Sequence, residues 1–151
     1  MAIEIDITVD ERAEAHPALD GRELSGLLRR AVHAVLDAHD IAACHVSVTL
    51  LDDTQIEEMN RAYLDHEGPT DVISFELGMS GETRVGDVYI GWEQALRQAA
   101  EFGVSPREEL ARLAVHGTLH VLGYDHPTGE GREQSEMWQR QEEIVREVVA
   151  S

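Results

Sequence analysis

The chain contains no lysine. Its twelve basic residues are all arginine, set against thirty acids, for a formal net charge of −18 over 151 residues. A surface this acidic repels phosphate backbones at long range and, taken alone, argues against nucleic-acid binding. A high-salt interior, where screening is short-ranged, or arginines gathered on one face would each change that expectation. Cysteine is nearly missing too. Cys44 stands alone, which excludes an internal disulfide framework and suits a buried apolar side chain. Aromatic residues make up 5%, so the core has to be aliphatic. Long apolar runs are lacking: nothing approaches the roughly 18 residues of a membrane span. The opening stretch, MAIEIDITVD, is acidic and alternating, not a basic region followed by an apolar run. The expectation is a cytoplasmic protein that touches no membrane. A 42% hydrophobic composition suits a single domain over 1–151 with one core.

Hydrophobic periodicity predicts the elements. Ile3, Ile5, Ile7 and Val9 alternate, as do Val46, Val48 and Leu50, and both segments read as strands. Asp71 to Phe75 and Val85 to Ile90 read as two more. Leu24, Leu27, Leu28, Ala31, Val32, Val35 and Leu36 recur at helical spacing behind Asp20, a capping residue. Asp52 or Asp53 can cap a helix through about Asn60, and Gly68-Pro69 marks a turn. Glu93 to Phe102 is helical and stopped by Gly103. Ser105-Pro106 supplies a cap and a first-turn proline for a helix to about Leu122. A last amphipathic helix runs from about Glu130 to Val149. Four strands and about five helices give an α+β domain, a small mixed four-stranded sheet covered by helices.

The segment with the most chemistry reads His116-Gly-Thr-Leu-His120-Val-Leu-Gly123-Tyr-Asp-His126. Residues four apart share a helix face, so His116 and His120 can chelate one metal from successive turns. Gly123 lets the chain leave the helix through a left-handed residue. His126 then returns as a third ligand. Three protein nitrogens leave a position open for water, the mark of a catalytic zinc, and a metal lowers the pKa of such a water toward about 7. Imidazole ligands suit one zinc ion, although nickel, iron or copper also bind them. The spacing is that of the zincin proteases, with one departure. Where those enzymes carry glutamate as general base after the first histidine, this chain has Gly117. Peptide hydrolysis by that route is not expected.

These residues resemble the signature of the YbeY family of bacterial metal-dependent endoribonucleases. Gly68-Pro-Thr-Asp71-Val-Ile-Ser-Phe75 is similar to that family's P-T-D-V-L-S-F block, and Gly86-Asp87-Val-Tyr-Ile90 to its G-D-I-x-I strand. Order and spacing agree over about residues 45–145. The resemblance implies a zincin-like fold and cleavage of single-stranded RNA, with roles in 16S rRNA 3′-end maturation and ribosome quality control. Its implied partners are rRNA and the small ribosomal subunit, reached through a ribosomal protein, and not DNA. The chain departs from the pattern at Leu64, where many members have arginine after the tyrosine of Asn60-Arg-Ala-Tyr63, and at Glu76, where many have proline. Arg61 is the arginine nearest the first of these, three positions earlier, and is a candidate substrate contact.

Around the ligands, His116 and Asp71 are candidates for the chemistry, and Thr70 and Ser74 for substrate contact. Asp71 can equally cap or brace a turn. Asp125 can orient an imidazole by accepting its free N–H, or act as a turn aspartate. Whether hydroxide or the ribose 2′-OH attacks stays open. Met137 is expected to pack within a helix, and the other five histidines to be non-ligands. Three functions fit: the endoribonuclease, a metallohydrolase of another substrate class, and a ribosome assembly factor whose metal is mainly structural.

Overall fold

A computed structural model describes residues 2–65, 68–124 and 136–150. In chain order the elements are β1 (Ile3–Thr8), α1 (Glu11–Ala15), α2 (Gly21–Ala38), β2 (Cys44–Leu51), α3 (Asp53–Leu64), β3 (Val72–Ser80), β4 (Thr83–Gly91), α4 (Trp92–Phe102), α5 (Pro106–Val121) and α6 (Glu136–Ala150). The fold is α+β, as expected, with six helices among the described residues where periodicity predicts five. The addition is α1, whose five residues bury only Ala13. So short a helix has no apolar repeat to read. Strands β3 and β4 also run further than expected, to a turn at Gly81, which has φ 64°. Residues Glu76 to Ser80 are all exposed, so no alternation marks them.

The sheet order is β1-β2-β4-β3. Strands β1, β2 and β4 are parallel, and β3 lies antiparallel at one edge. Register aligns Ile5 with Val46 and Gly86, and Ile7 with Val48, Val88 and Ser74. This face packs under α2 and α5. The other face carries Ser47, Asp87 and Phe75 in one row. There Phe75 meets Tyr63 and Tyr89 edge-on, with ring centroids 5.8 and 5.9 Å away.

Helix α5 is the centre of the molecule, touching β3, β4, α2, α4 and α6. Two glycines set how closely it lies on the sheet. A Cβ on Gly117 would sit 2.5 Å from Val88 Cγ1 and 3.1 Å from Ser74 Oγ, and one on Gly86 would collide with Val121. Among the described residues, no helix is long and apolar enough to cross a membrane.

Candidate active site

Ser105 caps α5 by accepting from the Glu108 amide at 3.1 Å, and Pro106 follows as its first residue. From Glu109 to Val121 every residue is buried except Arg112, His116 and His120. With Glu108 these form a stripe at spacing four, one face of an otherwise enclosed helix. The helix ends as expected at Gly123, which has φ 92°. The Tyr124 amide donates to the Leu119 carbonyl at 3.0 Å and the Gly123 amide to that of His120 at 2.9 Å. This paired closure satisfies carbonyls the last turn leaves open and stops the helix.

Arg112 and His116 of this stripe line a cleft of about 560 Å³, together with Asp71, Gln98, Glu109 and Gln141 among others. His116 and His120 pack edge-on with ring centroids 4.5 Å apart. Their Nε2 atoms are 3.0 Å apart. Two nitrogens bound to one tetrahedral zinc at about 2.0–2.1 Å lie roughly 3.3 Å from each other, so the pair fits chelation of a single ion. His126 and Asp125 lie outside the described residues. Among the described residues, no group of three His, Cys, Asp or Glu is placed to hold a metal.

Behind the histidines lies a polar network. His116 Nδ1 is 2.8 Å from Gln141 Oε1, and Gln141 Nε2 donates to Glu142 Oε2 at 3.2 Å. Arg112 binds Glu142 through Nε and a terminal nitrogen, the shortest contact being 2.9 Å, and pairs with Glu108 and Glu109 at 3.0 Å each. Gln98 donates to both Glu109, at 2.8 Å, and Asp71, at 3.3 Å. Burial pushes the Glu109 carboxyl up, against the pull of Gln98 and Arg112. Burial acts the same way on Glu142, but the hydrogen bonds from Arg112 and Gln141 outweigh it and hold that carboxyl below its ordinary value. The hydrogen bonds it donates to Glu142 hold the Arg112 guanidinium as a cation despite burial.

The structure brings Asp71 and His116 into one cleft, with His120 against His116. Asp71 also braces the sheet edge, its carbonyl accepting from the Gly91 amide at 2.8 Å. Thr70, Ser74 and Arg61 are not among the cleft-lining residues. Ser74 lies between the sheet and Gly117, and the Thr70 carbonyl abuts Gly91. Arg61 is exposed on α3, 4.0 Å from Glu57. Asn60 is buried and donates to the Gly68 carbonyl at 3.0 Å, tying α3 to the Pro-Thr-Asp segment. Four other histidines have neighbours elsewhere: His16 packs on Trp92, His33 contacts Asp37, His39 packs on Tyr124 and His45 contacts Asp6. Sequence reasoning missed Gln98, Glu109, Arg112, Gln141 and Glu142. The spacing of Arg112 from His116 was the one signal available for any of them.

The family model for the endoribonuclease YbeY matches residues 8–149. The chain belongs to the YbeY endoribonuclease family. Among its YbeY relatives, the endoribonuclease of Moorella thermoacetica is 43% identical over 137 residues, 83% of this chain and 86% of that protein. The endoribonuclease YbeY of Bacillus cereus is 39% identical, covering 96% of each chain. That of Chloroflexus aurantiacus is 36% identical over 96% of this chain and 95% of its own. The solution structure of TM1509 from Thermotoga maritima superposes with a TM-score of 0.65 at 28% identity. That match covers 97% of this chain and 89% of that one.

Proposed function

We propose that this YbeY-family chain is a zinc-dependent endoribonuclease for single-stranded RNA. We place it in the cytoplasm, acting in 16S rRNA 3′-end maturation and ribosome quality control on the small subunit. The observation that carries the metal-dependent reading is the convergence of His116 and His120, Nε2 to Nε2 at 3.0 Å, beside a cleft that contains Asp71. His126 is the third ligand in this reading, with Asp125 beside it.

When bound, zinc supplies Lewis acidity and positive charge toward a phosphoryl oxygen. Charge matters here because the cleft presents three carboxylates, Asp71, Glu109 and Glu142, against one guanidinium. The Arg112 cation is already engaged by Glu108, Glu109 and Glu142. Asp71 lines the same cleft as His116 and can receive the proton of the attacking hydroxyl at a carboxylate oxygen. The α5 backbone holds both imidazoles in place. Arg61 and Thr70 lie outside the cleft lining, where they can meet the flanking nucleotides.

The position after the first histidine supports RNA over peptide chemistry. Gly117 faces Val88 and Ser74 with no room for a side chain, so a protease-type glutamate has no place there.

The test is cleavage of a labelled single-stranded RNA by the purified chain, with elemental analysis of the same preparation. The expected result is about one zinc per chain and cleavage lost in both His116→Ala and His120→Ala. Cleavage that survives both substitutions would show a contaminating nuclease and remove support for this function. Zinc-loaded, folded protein that cuts no RNA would favour the assembly-factor alternative. Peptidase activity abolished by a chelator would favour another metallohydrolase.

A further inference from the structure

We propose that Gln141 is a positioning residue that fixes the neutral imidazole of His116 in its Nδ1–H form, leaving the Nε2 lone pair to face His120 and the cleft. Arg112 stands two links away. Its guanidinium engages both oxygens of Glu142, with contacts of 2.9, 3.0 and 3.3 Å. An ionised carboxylate accepts hydrogen bonds and donates none. The atom of the Gln141 amide that faces Glu142 Oε2, at 3.2 Å, must therefore be the nitrogen. The opposite orientation would press two acceptors together. With its nitrogen held there, the amide turns its oxygen to His116, 2.8 Å from Nδ1. That oxygen also only accepts, so Nδ1 carries the hydrogen. A neutral imidazole has one N–H, and the lone pair falls to Nε2.

The direction of every hydrogen bond in this circuit follows from the charge on Arg112. The circuit leaves α5 at Arg112, crosses to α6 through Glu142 and Gln141, and returns to α5 one turn later at His116. Gln141 is 1% exposed, so bulk water does not compete for its amide. Ile144, Val145 and Val148, buried on the next turns of α6, hold that helix in the core. The Glu142 carboxyl, held below its ordinary value, agrees with an amide nitrogen and a guanidinium both turned toward it.

The assignment of the tautomer stands without a metal. Its consequence rests on the metal reading of the site: His116 meets a divalent cation with Nε2 already unprotonated, and does not have to move a proton first. Partners that orient a ligating imidazole in this way typically change metal affinity by about 10–100-fold.

The test is long-range proton–nitrogen correlation NMR on the full ¹⁵N-labelled chain, as purified and after exhaustive chelation, at a pH where the imidazole is neutral. His116 should show a pyrrole-type Nδ1 and, in the chelated sample, a pyridine-type Nε2. Gln141→Leu removes the acceptor and should move His116 toward the Nε2–H form. Glu142→Gln removes the charge that orients the amide and should produce a mixture of the two forms, which a merely space-filling Gln141 would not do. A protonated Nε2 in the chelated wild-type chain would overturn the proposal, and that measurement needs no variant to fold. A Gln141→Leu chain that keeps Nδ1–H would overturn it as well. Zinc affinity, read by competition with a chromophoric chelator, should fall about 10–100-fold in Gln141→Leu. If the tautomers behave as stated and the wild-type chain takes up no zinc, the role of Gln141 stands and the zinc site falls.

Discussion

An alanine at position 117 would place its Cβ 2.5 Å from Val88 Cγ1 and 3.1 Å from Ser74 Oγ. Helix and sheet would have to part, and overpacking of this kind costs about 1–3 kcal/mol. Gly117→Ala should lower stability by that amount in urea unfolding, and adding Val88→Ala should return part of the loss. A double variant no more stable than the single one would contradict the packing account. Arg112 gives a second prediction. Replacing it with methionine leaves Glu109 and Glu142 without their cation, at a cost of roughly 2–3 kcal/mol, just under that of a fully buried pair because the side chain is 20% exposed. The loss should depend on pH. Glu142 has a folded pKa below its ordinary 4.5, so its contribution is present above that value and is lost as pH falls through the folded pKa. Glu109 is shifted upward, so its contribution is present below the ordinary value and is lost as pH rises through the folded one. The gap between wild type and Arg112→Met should therefore be widest near neutral pH and close under acid. A constant gap from pH 7 to 4 would show that packing, not charge, is what the substitution removes. His116 and His120 were legible in the sequence because a helix repeat brings them together within one segment. Gln141 and Glu142 were not, because they reach His116 and Arg112 only once α6 has docked on α5.

Helix α5 was legible at both ends. Ser105, Pro106 and Gly123 each act where the spacing of cap and stop signals predicts. Gly123→Ala would force a side chain into positive φ, which costs about 1–2 kcal/mol. It should also redirect the chain just after His120. The expected outcome is a modest fall in melting temperature with a larger fall in zinc affinity, read by calorimetry and chelator competition. Equal and small effects on both would mean that the exit angle is unimportant. The role of α5 as the central helix was less legible. Its polar stripe is narrow, and only the register of Val88 and Gly86 against Gly117 and Val121 shows why glycine stands at two of those positions. The short α1 and the exposed half of β3 were missed for a simpler reason. Neither buries enough side chains to leave a period.

Charge belongs to the whole molecule. With −18 overall and three carboxylates in the cleft, few phosphates can be neutralised by the chain itself. Binding of a single-stranded oligoribonucleotide, followed by anisotropy, should be weak. It should change by less than about tenfold between 50 and 200 mM salt, where a protein with 6–10 phosphate contacts loses about 10³–10⁵. Tight and steeply salt-dependent binding would oppose the expectation that the chain reaches its RNA through a ribosomal protein. The α+β class followed from periodicity, since alternation in four segments and a helical repeat in others leave few other architectures. The order β1-β2-β4-β3 did not, because nothing local tells β4 to insert between β2 and β3. The burial of α5 on nearly every side carries one more consequence. Backbone amides from Leu113 to Leu119 should exchange with solvent only when the entire domain opens. The two imidazoles have no separate route to disorder. On heating they should part at the temperature at which the core melts, and protein held just below that temperature should keep its histidine pair for as long as it stays folded.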